Sequence, residues 1–312
     1  MFIVITHTEP HLAQAWQRAV AARLPDATVV IDQASQTAGS IAIGWAPPTD
    51  FFTRHPSLSA FYSAAAGIEH VLQNPSLRSE LPIIRLEDAG MGLQMVEYCL
   101  HEVFRQRGRH SEYEQQREQK IWRELVPFDR QTMRIGVFGV GVLGAQVARA
   151  FSTLGYPVCG YTRQPKPIES INEGIKLLHG TAALTRFLAR SDVLILLAPL
   201  TAATARIINP ETLAQLPRGA YLINVARGGL IDDDALLRAL DSGQLSGASL
   251  DVFQTEPLPT THAYWTHPKV RMTPHISAIT EVEPSADQVV AKIKARAAGD
   301  SVSGLVDRQR GY

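Results

Sequence analysis

The chain has 312 residues, enough for two domains that each bury a core. Lys plus Arg and Asp plus Glu are equal at 30 each, so the formal charge is zero and nothing points to nucleic acid or an anionic membrane surface as partner. Only two cysteines occur, Cys99 and Cys159, with no C-x-x-C pair; this excludes a disulfide framework and fits a reducing cytoplasm, with both thiols read as buried small hydrophobes.

The first residues, MFIVITHTEP, carry no basic segment and no long apolar core, so they read as a first strand and not as a signal peptide. The longest apolar run, Val193 to Leu200, is far too short to span a bilayer, and a soluble protein is expected. Strand patterns follow at Val29 to Ile31, Ile41 to Trp45, Leu58 to Ser63 and Ile83 to Arg85, with a helix predicted over His11 to Leu24. Alternating strands and helices of this kind argue for a parallel sheet covered on both faces. Gly67 ends a small-residue run after one of these strands, where backbone amides could capture a carboxylate; a plain turn glycine fits the spacing as well. Trp45, before Pro47 and Pro48, reads as either a pocket wall or a core aromatic.

From His101 to Arg130 charge is dense, with Phe104, Tyr113, Ile121 and Trp122 interspersed. This predicts a long helix joining two domains and then an exposed loop, the charges forming a solvated face. A dimer contact through the aromatics is the second reading.

Arg134 to Arg163 is the most informative stretch. A buried strand, Ile135 to Phe138, runs into GVGVLG, followed by an amphipathic helix pattern and a second strand, Pro157 to Tyr161. Gly139 permits the tight turn, Gly141 lets the backbone approach a pyrophosphate, and Gly144 lets helix pack on strand. Free amides at the helix N-terminus then face the anion. Beyond it come a basic, proline-rich loop, a short helix over Leu184 to Leu188 and a strand within Ser191 to Thr201. A helix capped near Asn209, with Pro210 in its first turn, leads to a strand at Tyr221 to Val225. DDDALLRALDSGQ is a helix with acidic residues at its N-terminus, and further strands are predicted at Gly247 to Phe253 and Val270 to Thr273. A last helix, Pro284 to Ala298, could cross back to the first domain. The resulting division is 1–98 plus 279–312 for a discontinuous substrate domain, and 99–278 for a Rossmann dinucleotide-binding domain.

Arg227, Glu256 and His275 each follow a predicted strand, where open α/β sheets place ligands. An arginine can fork onto a carboxylate and polarise a carbonyl. A histidine can donate the proton that completes an alcohol, and a neighbouring carboxylate fixes its tautomer and supports its cationic form. The trio suits reduction of a 2-oxo acid. No metal-ligand spacing is present, and no metal is expected.

The segments GVGVLG, LLAPLTAAT, INVARGG, LDVFQTEPLP and TPHISA, in that order, resemble the D-isomer-specific 2-hydroxyacid dehydrogenases. RLEDAGMGLQMVEY (85–98) and the terminal VDRQRGY are similar to the branch of that family acting on glyoxylate and hydroxypyruvate. The resemblance implies two doubly wound α/β domains, a flavodoxin-like substrate domain and the Rossmann domain, joined as a cytoplasmic homodimer. It implies Arg227 as the arginine that binds substrate, His275 as proton donor and Glu256 as its carboxylate partner. It gives Asp251 to the nicotinamide amide, the Val142 and Leu143 amides to the pyrophosphate, and Pro199 and Thr204 to the loop beside adenosine and ribose. Gly67 and Ile68 match the backbone segment that holds the substrate carboxylate, although AAAGIEH stands where many members have Ser-x-Gly-x-Asp.

Many relatives that prefer NAD carry an aspartate at the end of the second strand to bind the ribose 2′-hydroxyl. Here Tyr161, Thr162 and Arg163 stand there, with Lys166 close behind. Two cations and a hydroxyl could hold a 2′-phosphate, so NADPH is the expected cofactor and NADH the weaker alternative. The expected reaction is reduction of a small 2-oxo acid, glyoxylate to glycolate or hydroxypyruvate to D-glycerate. An NAD-linked dehydrogenase of a larger substrate, or a nucleotide-sensing corepressor, is the alternative.

Overall fold

The computed structural model describes residues 1–33, 39–165 and 174–311. The chain divides into two compact units, one of residues 1–91 and 280–312, the other of residues 92–279.

The first unit is a five-stranded parallel sheet: β1 (Phe2–Thr6), β2 (Thr28–Ile31), β3 (Ile41–Gly44), β4 (Ala60–Ser63) and β5 (Ile83–Ile84), in the order β2-β1-β3-β4-β5. That is the flavodoxin-like order. The inner strands are mostly apolar and buried, as a parallel sheet covered on both faces requires. On one side Phe51, Phe52 and Phe61 meet edge to face, with Val4, Ala42 and Ile83 in the same core. The helix Pro10–Arg23 packs against the C-terminal helix Val282–Ala297, where Arg23 pairs with Asp287 at 2.6 Å and Glu283 at 2.8 Å.

The second unit is a seven-stranded parallel sheet: β6 (Ile135–Phe138), β7 (Val158–Thr162), β8 (Ile175–His179), β9 (Val193–Leu196), β10 (Ala220–Asn224), β11 (Leu245–Leu250) and β12 (Val270–Met272). Its order, β12-β11-β10-β9-β6-β7-β8, is doubly wound, with the reversal between β6 and β9. Side chains alternate between two cores as the pleat requires. Ile135, Val137, Val193, Ile195 and Ile223 face Cys99, Val103, Val147 and Phe151, while Leu194, Leu196, Leu222 and Leu250 face Phe187, Leu213 and Leu236. Among the described residues no helix is long and apolar enough to cross a membrane.

Two departures from the expected elements have local causes. The edge strand β8 was not foreseen, because IKLLH carries Lys176 and His179 on a half-exposed strand whose apolar signal is weak. The long helix expected from His101, ahead of an exposed loop, instead begins at Met91 and stops at Arg107. Arg109 then takes a left-handed conformation (φ 56°), and a separate helix, His110–Glu118, starts behind it. The capping expected near Asn209 is present in full: its side chain accepts from the Thr212 amide while the Thr212 hydroxyl accepts from the Asn209 amide.

Candidate active site

The crevice at the β6–β9 reversal is built by three glycines, each for a different reason. Gly139 has φ 105°, and a Cβ there would lie 2.4 Å from the Ala198 amide nitrogen, so the ends of β6 and β9 approach too closely for any side chain. A Cβ on Gly144 would sit 2.0 Å from the Gly139 carbonyl oxygen; its absence lets the helix Val142–Thr153 dock on the strand end. A Cβ on Gly141 meets nothing within 4 Å. Gly141 is also the N-cap of that helix and brings no side-chain cap to its first amides, which have no partner within the helix. This geometry fits a pyrophosphate lying over Gly141.

The rim of the crevice carries the remaining expected residues. Tyr161, at the end of β7, is buried and stacked on Phe138 with centroids 5.1 Å apart. The Thr162 hydroxyl donates to the Gln164 carbonyl at 2.7 Å, so its proton serves the turn, while Arg163 is exposed. Lys166 lies outside the described residues. Across the reversal, buried Thr204 donates to the Pro199 carbonyl at 2.7 Å and accepts from the Thr201 amide at 2.8 Å. Thr204 therefore shapes the loop from beneath, leaving Pro199 nearer its surface.

Arg227, Glu256 and His275 follow β10, β11 and β12, three neighbouring parallel strands, and so emerge at one edge of the sheet. Fully buried Asn224 holds the arginine turn: its side chain donates to the Arg227 carbonyl at 3.0 Å and accepts from the Ala226 amide at 3.1 Å. Arg227 donates to the Ala226 carbonyl at 2.6 Å. A Cβ on Gly228 would fall 1.9 Å from the Phe253 carbonyl carbon, so this glycine lets the arginine turn press against the loop that carries Glu256. Glu256 accepts the Phe253 amide at 2.9 Å with one oxygen and meets His275 Nδ1 at 2.7 Å with the other. The carboxylate thus fixes the ring by one nitrogen and leaves Nε2 for other work. Among the described residues, no group of three or more His, Cys, Asp or Glu side chains is placed to hold a metal.

Asp251, which the resemblance gives to the nicotinamide amide, is engaged within its own turn. Its carboxylate is fully buried and accepts three hydrogen bonds, from the Ile276 amide (2.8 Å), the Ser277 amide (2.8 Å) and the Thr273 hydroxyl (2.7 Å). Its carbonyl accepts the His275 amide at 2.8 Å. In this structure Asp251 builds the turn that presents the histidine. Neither Asn224 nor Thr273 is among the residues the sequence marks out; for Asn224 the available signal is a polar residue closing a largely apolar strand.

In the first unit, Trp45 follows β3 and its half-buried ring lies against His70, with centroids 3.7 Å apart. After β4 the Ser63 hydroxyl accepts from the Ala65 amide at 3.2 Å and turns the chain toward Gly67 and Ile68. The Ile68 side chain is buried, at 2% exposure, so this segment can offer a ligand only its backbone.

The family model described as D-isomer specific 2-hydroxyacid dehydrogenase, NAD binding domain, matches residues 101–277. The chain is 39% identical over 306 residues to glyoxylate/hydroxypyruvate reductase A of Yersinia enterocolitica, covering 96% of each. Among solved structures it is similar to a D-isomer specific 2-hydroxyacid dehydrogenase from Xanthobacter autotrophicus in complex with NADPH and MES, at TM-score 0.93 and 35% identity, covering 99% of both chains. It is likewise similar to an NADPH-dependent glyoxylate/hydroxypyruvate reductase from Sinorhizobium meliloti in complex with NADP and sulfate, at TM-score 0.92 and 30% identity, covering 100% of this chain and 99% of the other. The chain belongs to the D-isomer specific 2-hydroxyacid dehydrogenase family.

Proposed function

We propose that the protein is an NADPH-dependent reductase of small 2-oxo acids, with glyoxylate and hydroxypyruvate as substrates. The observation that carries this reading is the Glu256–His275 pair at 2.7 Å, on strand ends adjoining the one that bears Arg227. Arg227 holds the substrate carboxylate and polarises the 2-oxo group. His275, steadied through Nδ1 by Glu256, gives a proton from Nε2 to the oxygen as it becomes a hydroxyl. In the first unit, the Gly67–Ile68 backbone would offer amides to a carboxylate, and Trp45 would line a substrate pocket.

The amides of Val142, Leu143 and Gly144 would hold the pyrophosphate, as the open space over Gly141 permits. When bound, NADPH supplies the hydride. Its choice over NADH rests on the exposed Arg163 after β7, with no carboxylate there to repel a 2′-phosphate, and on the NADPH and NADP held by the two similar structures. Lys166 would add a second cation. The same reading carries a cytoplasmic homodimer.

The test is a panel of 2-oxo acids assayed with both cofactors on wild type, His275→Ala and Arg227→Ala. Turnover of glyoxylate or hydroxypyruvate with NADPH, abolished in both variants while NADPH still binds, is the expected result. Wild-type kcat in either variant would remove its residue from the reaction, and a clear NADH preference would favour an NAD-linked dehydrogenase.

A further inference from the structure

The helix Met91–Arg107 presents Gln94, Tyr98 and Glu102 at intervals of four, a spacing that puts all three on one face. Each reaches the segment that carries His275. The Gln94 side chain accepts from the Ile279 amide at 2.9 Å and donates to the Ile279 carbonyl at 3.0 Å. Tyr98 Oη lies 2.6 Å from Thr273 Oγ1. Glu102, buried, accepts from Arg271 Nε at 3.1 Å and from the Ser249 hydroxyl at 2.5 Å. The helix therefore runs beside residues 271–279 as a rail, contacting them in reverse order.

The hydrogen bonds at Tyr98 have a direction. Threonine has one hydroxyl proton, and Thr273 donates it to Asp251 Oδ1 at 2.7 Å. Tyr98 must then be the donor to Thr273, and its burial pushes the phenol well above its ordinary range, so it stays protonated. The line from Tyr98 through Thr273 ends on the carboxylate that also takes the amides of Ile276 and Ser277.

His275 itself has φ 55°, the left-handed region that a non-glycine residue occupies only at a cost in backbone strain. Such a conformation persists only where its surroundings over-determine it. Asp251 grips the chain on both sides of the histidine, at Thr273 before it and at Ile276 and Ser277 after it. Tyr98 is the side chain that ties this grip to the helix.

We propose that Tyr98 is a positioning residue for His275, acting through Thr273 and Asp251 to hold the strained turn in its productive conformation. This rests on His275 being the proton donor. Loss of the phenol hydroxyl leaves the fold and the nucleotide crevice intact and loosens only the turn, so the defect falls on kcat.

The test uses the full-length enzyme with NADPH and glyoxylate. In Tyr98→Phe, kcat falls about tenfold, the effect of one hydrogen bond at a position-sensitive site, while the KM for NADPH stays within about twofold of wild type. Thr273→Val, which also removes the bond to Asp251, gives at least that loss, and Thr273→Ser, which keeps the hydroxyl, restores most of the rate. The double variant Tyr98→Phe/Thr273→Val is no worse than Thr273→Val alone, because Tyr98 acts only through the Thr273 hydroxyl. Wild-type kcat in Tyr98→Phe, or multiplying losses in the double variant, overturns the proposal while leaving His275 as donor. If Tyr98→Phe fails to fold, the Thr273→Val and Thr273→Ser pair decides, and equal activity in the two overturns it. A fully active His275→Asn overturns this proposal and the reductase mechanism together.

Discussion

Glu256 Oε2 lies 2.7 Å from His275 Nδ1 while Glu256 Oε1 accepts the Phe253 amide at 2.9 Å, so one carboxylate joins the end of β11 to the turn after β12. The pair fixes both the ring plane and the tautomer of the histidine.

Glu256→Gln keeps the shape of this link and removes its charge. The expected outcome is a kcat loss of roughly 10–100-fold in initial rates with NADPH and glyoxylate, short of the loss in His275→Ala. An unchanged kcat would show that the link is a scaffold contact alone.

Arg163→Ala is expected to raise the KM for NADPH by about tenfold and to leave the KM for NADH nearly unchanged, since the proposed charge-assisted contact to the 2′-phosphate would be removed. Parallel titrations of both cofactors check this. Equal effects on both would assign Arg163 to a part of the nucleotide that the two share.

The glycines of the fingerprint separate folding from binding. Gly141→Ala places a methyl group in open space at φ −86°, so the expected melting temperature matches wild type and nucleotide affinity falls. Gly144→Ala forces a Cβ to within 2.0 Å of the Gly139 carbonyl oxygen, and the expected cost is about 1–3 kcal/mol of stability. Thermal melts without cofactor, followed by NADPH titration, distinguish the two.

Asp232 caps the helix Asp233–Asp241 by accepting the Ala235 amide at 3.0 Å. That amide above all, and then the Arg206 guanidinium at 2.6 Å, hold its carboxyl below the usual aspartate range. A depressed folded value means the charge contributes stability above the unfolded value of about 4, and that contribution is lost as pH falls through the folded value. Asp232→Ala is expected to cost about 1 kcal/mol at neutral pH. Asp232→Asn, which still caps, is expected to lie between, and its gap to wild type closes in acid. Melting temperatures from pH 7 to pH 3 measure both effects.

Much of the site could be read from the sequence because its signals are local. The glycine spacing, the apolar strands on either side of it and the Asn209 cap each depend on a few neighbouring residues whose conformational demands are fixed by their own chemistry. Arg227, Glu256 and His275 could be proposed because each closes a recognisable strand, which in a parallel sheet brings strand ends to one edge. Family resemblance then supplied roles that spacing alone left open.

The tertiary structure decided what depends on pairs far apart in the chain. Tyr98 and Thr273 are separated by 175 positions, and nothing about either residue type announces that their hydroxyls meet. Asp251 shows the same limit: LDVF marks it by resemblance alone, while its partners Thr273, Ile276 and Ser277 are donors that only folding brings around its carboxylate. By itself the sequence determined the periodicities, the turns and the chemical inventory, because these follow from single residues and their near neighbours. Only the fold decided which polar groups satisfy one another, because burial obliges every donor and acceptor to find a partner wherever the packed chain provides one.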